Sequence, residues 1–172
     1  TVYAPSESLA RTATRAAFVR IEAIEQAISS WRSGSEASRL CKRVGEQVPV
    51  GTDLFAVLAR AKWWRDRSDG AFDPAIGPMV DVWRDARKKG ELPTDAALSE
   101  AQARSGWSHL NLDLGGRTVK VDVAGMRLDF GGIGKGYAAD EALKVLRAHG
   151  LPIALVELGG DLVAGDPPPG RE

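Results

Sequence analysis

The 172-residue sequence has a single cysteine, Cys41, and only two histidines, His109 and His149. One cysteine excludes an intrachain disulfide and a cysteine-based zinc site within these residues. The histidines join no Ser/His/Asp or metal-binding pattern, and His149, near a predicted helix C-terminus, suits the negative end of the helix dipole. An excess of either charge is also lacking: Lys plus Arg and Asp plus Glu number 23 each. Nothing in that balance, and no long charge run, points to nucleic acid as a partner. No apolar run approaches the roughly 20 residues of a membrane-spanning helix. There is no internal repeat, low-complexity tract or interdomain linker. The content that remains, 44% hydrophobic and 27% charged, is ordinary for a globular domain. The length suits one domain over residues 1–172, able to bury roughly two-thirds of its unfolded surface.

Periodicity predicts an α+β fold, with helices packed on a mixed or antiparallel sheet. Residues 1–4 read as a strand. Residues 7–29 read as a helix, with Ala17, Ile21, Ile24 and Ile28 on one face and Ser6 as N-cap. A short helix is expected over 36–44. Another starts at Thr52 as cap and carries Leu54, Val57, Leu58 and Ala61. Residues 78–89 and 94–105 read as helices. Strands are expected near 107–113, 117–123 and 127–130, with Gly115-Gly116 turning the first pair. A helix from Gly136 ends at His149-Gly150. Ile153 to Val163 reads as a strand broken at Gly159-Gly160. Trp63, Trp64, Trp83 and Trp107 read as packing residues.

The most informative stretch is Arg127-Leu-Asp-Phe-Gly-Gly-Ile-Gly-Lys-Gly-Tyr-Ala-Ala-Asp140. A strand end, a turn nearly bare of side chains and a helix N-terminus make an anion cradle. Free backbone N–H groups and the positive helix end converge there, and Lys135 adds a full charge. Phosphate is the obvious ligand. Neither the P-loop spacing nor G-x-G-x-x-G is met, because Gly136 follows Lys135 and Tyr137 stands where a third glycine belongs. The alternative is a tight turn with a solvated lysine.

Two further segments bear on that choice. Ser68-Asp-Gly-Ala-Phe-Asp-Pro-Ala-Ile-Gly-Pro78 holds two prolines in five residues, so it is a rigid loop with a carboxylate. Ile28-Ser-Ser-Trp31 ends the first helix and leads to Ser35-Glu-Ala-Ser-Arg-Leu40. These segments, with Leu128–Asp140 and Val156-Glu-Leu-Gly-Gly-Asp161, resemble four ordered motifs of the ApbE-type FAD:protein FMN transferases, long labelled thiamine-biosynthesis lipoproteins. The resemblance covers the whole chain.

The resemblance implies an activity and a set of site residues. The family uses Mg²⁺ to move FMN from FAD onto a threonine hydroxyl of a target flavoprotein, releasing AMP. Trp31, a rim or core aromatic on its own showing, matches an aromatic that stacks on a ring of FAD, where the family often has Tyr. Ala71, Phe72 and Asp73 become an FAD-contacting run, although Asp73 by itself suits a turn cap. Asp129 becomes an FAD contact rather than a partner for a neighbour in the sheet. Lys135 is placed beside FAD, with an electrostatic role in catalysis. The Gly132 backbone carbonyl matches a metal ligand. Asp140 and Asp161 are read as structural supports.

The resemblance also implies a fragment, truncated at both ends. Thr1-Val2-Tyr3 reads as mid-strand, preceded in the family by a Met-Gly-Thr strand. The family's metal-binding His-x-x-Asp-Pro-x-Thr-Gly stretch and the catalytic residues would lie beyond Glu172. Its own cleaved C-terminal portion is then an expected partner. The compartment implied is the cell envelope, lipid-anchored on the outer side of the inner membrane. A non-catalytic FAD carrier of the same fold is the alternative function, and a domain whose glycine turns bind nothing is a third.

Overall fold

Apolar residues at helical spacing start the first helix, α1 (Glu7–Ile28), in this computed structural model, which describes residues 1–168 and 170. The Ser6 hydroxyl accepts the Leu9 N–H at 3.3 Å, the expected N-cap. The chain divides into two compact units. One holds Thr1–Glu25 and the residues from Ile133 onward; the other is Gln26–Gly132.

In the first unit, α6 (Gly134–Ala148) packs on a two-stranded antiparallel ribbon of β4 (Leu155–Leu158) and β5 (Asp161–Ala164). The core joins Ala13 and Ala17 of α1 to Ala142, Leu143 and Leu146 of α6, with Leu151 and Ala154. Each leucine so buried contributes about 1.5–3 kcal/mol. Small residues on facing helix surfaces let the larger ones interdigitate. α6 stops because Gly150 takes a left-handed φ of +76°. Its N–H reaches the Arg147 carbonyl at 2.9 Å, and the Leu151 N–H reaches Leu146 at 3.0 Å. That is a Schellman ending, as the His149-Gly150 pair suggested.

Two expectations for this unit change. Residues 1–4 form no strand; Val2 makes one antiparallel bridge to Ala154. The segment 153–163 is no broken strand but a hairpin. Gly159 and Gly160, at φ +57° and +95°, reverse the chain between two full strands, as the tight primed turns of hairpins require. The turn expected over 165–172 lies partly outside the described residues; where described, the Asp166 N–H pairs back to the Pro152 carbonyl at 2.9 Å.

The second unit adds α2 (Glu36–Leu40), α3 (Thr52–Arg67), α4 (Gly77–Lys89) and α5 (Asp95–Ala103). Its antiparallel sheet has the order β1 (Gln47–Pro49), β3 (Thr118–Val121), β2 (Leu110–Asp113). The β2–β3 hairpin turns at Gly115-Gly116 as read from sequence. β1 is an addition, because three residues carry too little periodicity to be noticed. Leu54, Val57, Leu58 and Ala61 of α3 are all buried, as are Val119 and Val121. Thr52 is not the cap of α3. Gly51 holds that position, and the Thr52 hydroxyl instead accepts from Arg117 at 2.9 Å. Residues 107–109 form a 3₁₀ turn rather than the start of a strand. Residues 127–130 are extended but join neither sheet, because their partners are loop atoms. The Asp129 N–H donates to the Pro74 carbonyl at 2.7 Å, and the Arg127 carbonyl accepts from Gly77 at 3.1 Å. Of the four tryptophans read as packing, only Trp107 is buried. Trp63 and Trp64 stack edge to face at 4.7 Å, and Arg67 covers Trp63 at 3.8 Å. No helix among the described residues is long and apolar enough to cross a membrane.

Within the first unit, Glu141 of α6 pairs with Arg20 of α1 at 2.6 Å and with Lys144 at 2.6 Å. Burial works against its charge, but the hydrogen bonds from Lys144 and Arg20 outweigh that and hold its carboxyl below the ordinary glutamate value. A carboxyl depressed in the folded state stabilises the fold above its unfolded value, near 4.3, and loses that contribution as pH falls through the lower folded value. Urea unfolding at pH 7 and at successive steps down to pH 3 checks this. Glu141→Gln is expected to be less stable than the native chain at pH 7, with the gap closing below about pH 4.3. A gap independent of pH would contradict it.

Candidate functional site

The second unit gathers three of the singled-out segments. The first is the turn after α1. The Ser29 hydroxyl accepts the N–H groups of Trp31 and Arg32, each at 3.3 Å. Ser35 is fully buried; its hydroxyl donates to the Ser29 carbonyl at 2.6 Å and accepts from the Ser38 N–H at 3.1 Å, capping α2. The Glu36 carboxylate accepts the Gly51 N–H at 2.6 Å. The serines and the acid of this motif therefore build a rigid platform, and what the platform presents is Trp31. Its side chain is 74% exposed. A large aromatic left open on a stiff turn is suited to stacking.

The second segment is the loop before α4. Asp73 is committed internally. One carboxylate oxygen accepts the Ala75 N–H at 2.8 Å, the other the Trp107 N–H at 2.8 Å. Arg65 adds its charge, with Nε 3.8 Å from Asp73. Among the described residues that Nε is buried without a hydrogen-bond partner. Turn capping accounts for one oxygen of Asp73, and the long-range bond to Trp107 for the other. Ala71 is exposed and Phe72 half-buried. The Phe72 ring lies against Gly132, where a Cβ would sit 3.2 Å from its Cε2. The expected contact run thus meets the glycine turn through Phe72.

The third segment is 127–132. One Asp129 carboxylate oxygen accepts the Gly131 N–H at 2.8 Å, and the other accepts from Arg84 of α4 at 3.2 Å. The neighbour that pairs with Asp129 is thus a helix arginine and not a strand residue. The same Arg84 guanidinium lies over the Trp31 ring, 4.1 Å from its centroid. Arg127 donates to the Ser30 carbonyl at 2.7 Å and is ion-paired with Asp81 of α4. Trp31, Arg84, Asp129 and Gly131 therefore form one connected chain of contacts. Gly131 and Gly132 are exposed, so the backbone of the turn is open to a ligand.

A cavity of about 490 Å³ opens beside Trp31, lined also by Ser38, Cys41, Lys42, Met126 and Arg127. Burial pushes the Cys41 thiol up; the Leu128 backbone and the Arg127 charge oppose this without reversing it. A thiol held protonated is a poor nucleophile, so Cys41 is packing.

Lys135 belongs to the first unit and is not simply solvated. It donates to the Gly159 carbonyl at 2.9 Å, with the Asp161 carboxylate 3.7 Å away. An ammonium has three donors, so this still leaves capacity for an anion. Asp161 supports Lys135, in keeping with its structural reading. His149 caps α6 through its N–H and its ring, which lies 2.9 Å from the Val145 carbonyl.

No group of three His, Cys, Asp or Glu side chains arranged for a metal occurs among the described residues. Mg²⁺ favours carboxylates, phosphate oxygens and water in octahedral array, and the Gly132 carbonyl alone does not meet that need. The described residues do not form a magnesium site.

The ApbE family model matches residues 1–172. The chain belongs to the ApbE family. It is 36% identical over 153 residues to an FAD:protein FMN transferase of Treponema pallidum, covering 86% of this chain and 42% of that protein. An FAD:protein FMN transferase of Klebsiella pneumoniae is 30% identical, over 94% of this chain and 50% of that one. The chain spans about half the length of the curated relatives it matches. Among solved structures, the flavin transferase ApbE from Vibrio cholerae superposes with a TM-score of 0.82 at 25% identity, over 95% of this chain and 52% of that one. The ApbE protein from Thermotoga maritima gives 0.81 at 27% identity, over 94% and 53%. The α+β fold and the family read from the four motifs are both confirmed.

Sequence reasoning missed Arg84, Asp81 and the role of Arg127, whose spacing carries no motif. Gly77, legible in the sequence as part of the second motif, carries a steric constraint that the motif does not announce. A Cβ there would lie 2.5 Å from the Arg127 carbonyl oxygen, a backbone atom that cannot rotate away. Gly77→Ala is expected to lower stability by roughly 1–3 kcal/mol through overpacking, read as a lower urea midpoint with unchanged slope. An unchanged midpoint would show that α4 shifts freely against residue 127.

Proposed function

We propose that the protein of which this chain is part transfers FMN from FAD to a threonine hydroxyl of a target flavoprotein, releasing AMP. The observation that carries the reading is the exposed Trp31, mounted on the serine platform and joined through Arg84 and Asp129 to an open glycine turn. It is supported by the names of the relatives, FAD:protein FMN transferases. Trp31 offers a face to a ring of FAD; Arg84 and Asp129 link it to the glycine turn, against which Phe72 lies. The carboxylates of Asp73 and Asp129 are both held by arginine or backbone donors. Two carboxylates near a pyrophosphate would otherwise repel it.

In the first unit, Lys135 keeps donors for an anion, and the family resemblance assigns it to the FAD phosphates; charge placed where it develops is a main source of rate in phosphoryl-type transfer. Magnesium belongs to this reading through the family, as do an acceptor threonine and a cell-envelope location with a lipid anchor. The described residues provide no carboxylate cluster for the metal, so no step is assigned to it here. The alternative reading is a non-catalytic FAD carrier of the same fold.

The transfer assay mixes full-length protein, FAD, Mg²⁺ and a threonine-bearing acceptor, and weighs the acceptor by mass spectrometry. The expected result is an added FMN mass with full-length protein and none with residues 1–172 alone. FAD binding without any transfer by the full-length protein would favour the carrier reading. Covalent flavin from residues 1–172 alone would mean that the metal ligands have been misjudged.

Lys135→Met is expected to weaken FAD far more than riboflavin, which has no phosphate, in calorimetric titrations of the full-length protein. Equal losses for both ligands would place Lys135 in the support of the Gly159 turn and not at the phosphates.

A further inference from the structure

Arg84 makes two contacts that no motif announces. Its guanidinium carbon lies 4.1 Å from the centroid of Trp31, and its Nη2 donates to Asp129 at 3.2 Å. Asp129 is itself immobilised, with its second oxygen on the Gly131 N–H and its own N–H on the Pro74 carbonyl. Arg84 is therefore anchored by an acid that is anchored twice. Trp31 is still 74% exposed, so its indole keeps a face open while the guanidinium sits on the other.

An open indole on its own rotates about two side-chain torsions, and any ring that stacks on it must first still that motion. A guanidinium held over one face does the stilling in advance, because arginine packs on aromatic faces and the Nη2 of this one is held by the Asp129 carboxylate. Preorganisation of this kind raises affinity by lowering the ordering cost of binding. It also gives Asp129 a definite task. Both its oxygens are engaged inside the fold, which gives it a route to a ligand through Arg84 and Trp31.

We propose that Arg84 is the positioning residue of the flavin site: supported by Asp129, it holds the Trp31 indole from behind in the orientation that accepts a ring of FAD. The proposal rests on the reading of Trp31 as the stacking aromatic. It concerns affinity and ring geometry, and leaves the transfer chemistry to other groups. The rival arrangement is a placeholder, an arginine that occupies the stacking face until the ring displaces it. The two differ in sign, since removing a placeholder tightens binding and removing a clamp weakens it.

The test is a double-mutant cycle on the full-length protein, with FAD titrated calorimetrically and each variant's melting temperature recorded. Trp31→Ala is expected to weaken FAD about 5- to 150-fold, the range of base–aromatic stacking. Arg84→Met is expected to weaken it about 3- to 10-fold in the native background. In the Trp31→Ala background the same change is expected to cost less than about 2-fold, because nothing remains to be positioned. A purely structural arginine would carry its loss into both backgrounds. Arg84→Lys keeps the charge but loses the fork, so an intermediate affinity is expected; it also serves the comparison if Arg84→Met does not fold. Unchanged or tighter binding by the Arg84 variants, with Trp31→Ala still weakened, overturns the clamp and leaves the flavin reading standing. No FAD binding by the native protein, or no effect of Trp31→Ala, overturns that reading and the clamp with it.

Discussion

The second unit depends on Arg127 more than on any other single residue. Its guanidinium reaches the Ser30 carbonyl, 97 positions earlier, and the Asp81 carboxylate, 46 positions earlier. Its backbone carbonyl receives the Gly77 N–H, and the approach is so close that only glycine fits there. One residue thereby ties the turn that carries Trp31, the helix that carries Arg84 and the segment that carries Asp129. Strand pairing does not do this work, because residues 127–130 belong to no sheet. A segment held by a few specific contacts can be placed where a regular ladder would not allow it, at the cost of tolerating few substitutions.

Around that anchor, charges are arranged in neutralised pairs. Asp129 is met by Arg84, Asp81 by Arg127, and Asp73 by two backbone donors with Arg65 nearby. A ligand carrying phosphates would be repelled by bare carboxylates. The same carboxylates serve as structure when each is engaged by a donor or a cation. In the first unit Lys135 shows the complementary logic. A carbonyl and a carboxylate steady a flexible cation without exhausting its donors. In each unit, charged side chains are thus held in place by partners from the same unit.

Much of this was legible in the sequence. The periodic face of α1, the glycine stop after α6 and the hairpin at Gly115-Gly116 follow from local preferences that the fold respects. Four motifs in order identified the family, and every one of them is used. The serines and acid of the first motif build the platform beneath Trp31, the Pro-rich loop fixes Phe72 against Gly132, and the glycine turn leaves its backbone open. Errors fell where local and long-range forces differ. Residues 127–130 alternate like a strand, yet a loop and a helix N-terminus took their hydrogen bonds. Gly159-Gly160 looked like an interruption, yet positive φ angles made it a reversal between two strands. Thr52 has the right chemistry for a cap, yet Gly51 occupied that position and Arg117 claimed the hydroxyl.

The sequence by itself determined the α+β class, the family, and the four ordered motifs, because helix periodicity, turn chemistry and motif order are properties of neighbours along the chain. Tertiary structure alone decided what those residues do to one another. That Arg84 covers Trp31, that Asp129 holds Arg84, and that Asp73 accepts the Trp107 N–H are facts about groups from distant positions. No local rule encodes them. They exist because Arg127 and the close approach at Gly77 bring α4 against residues 127–132, and ion pairs then form between groups that the fold has already placed within reach.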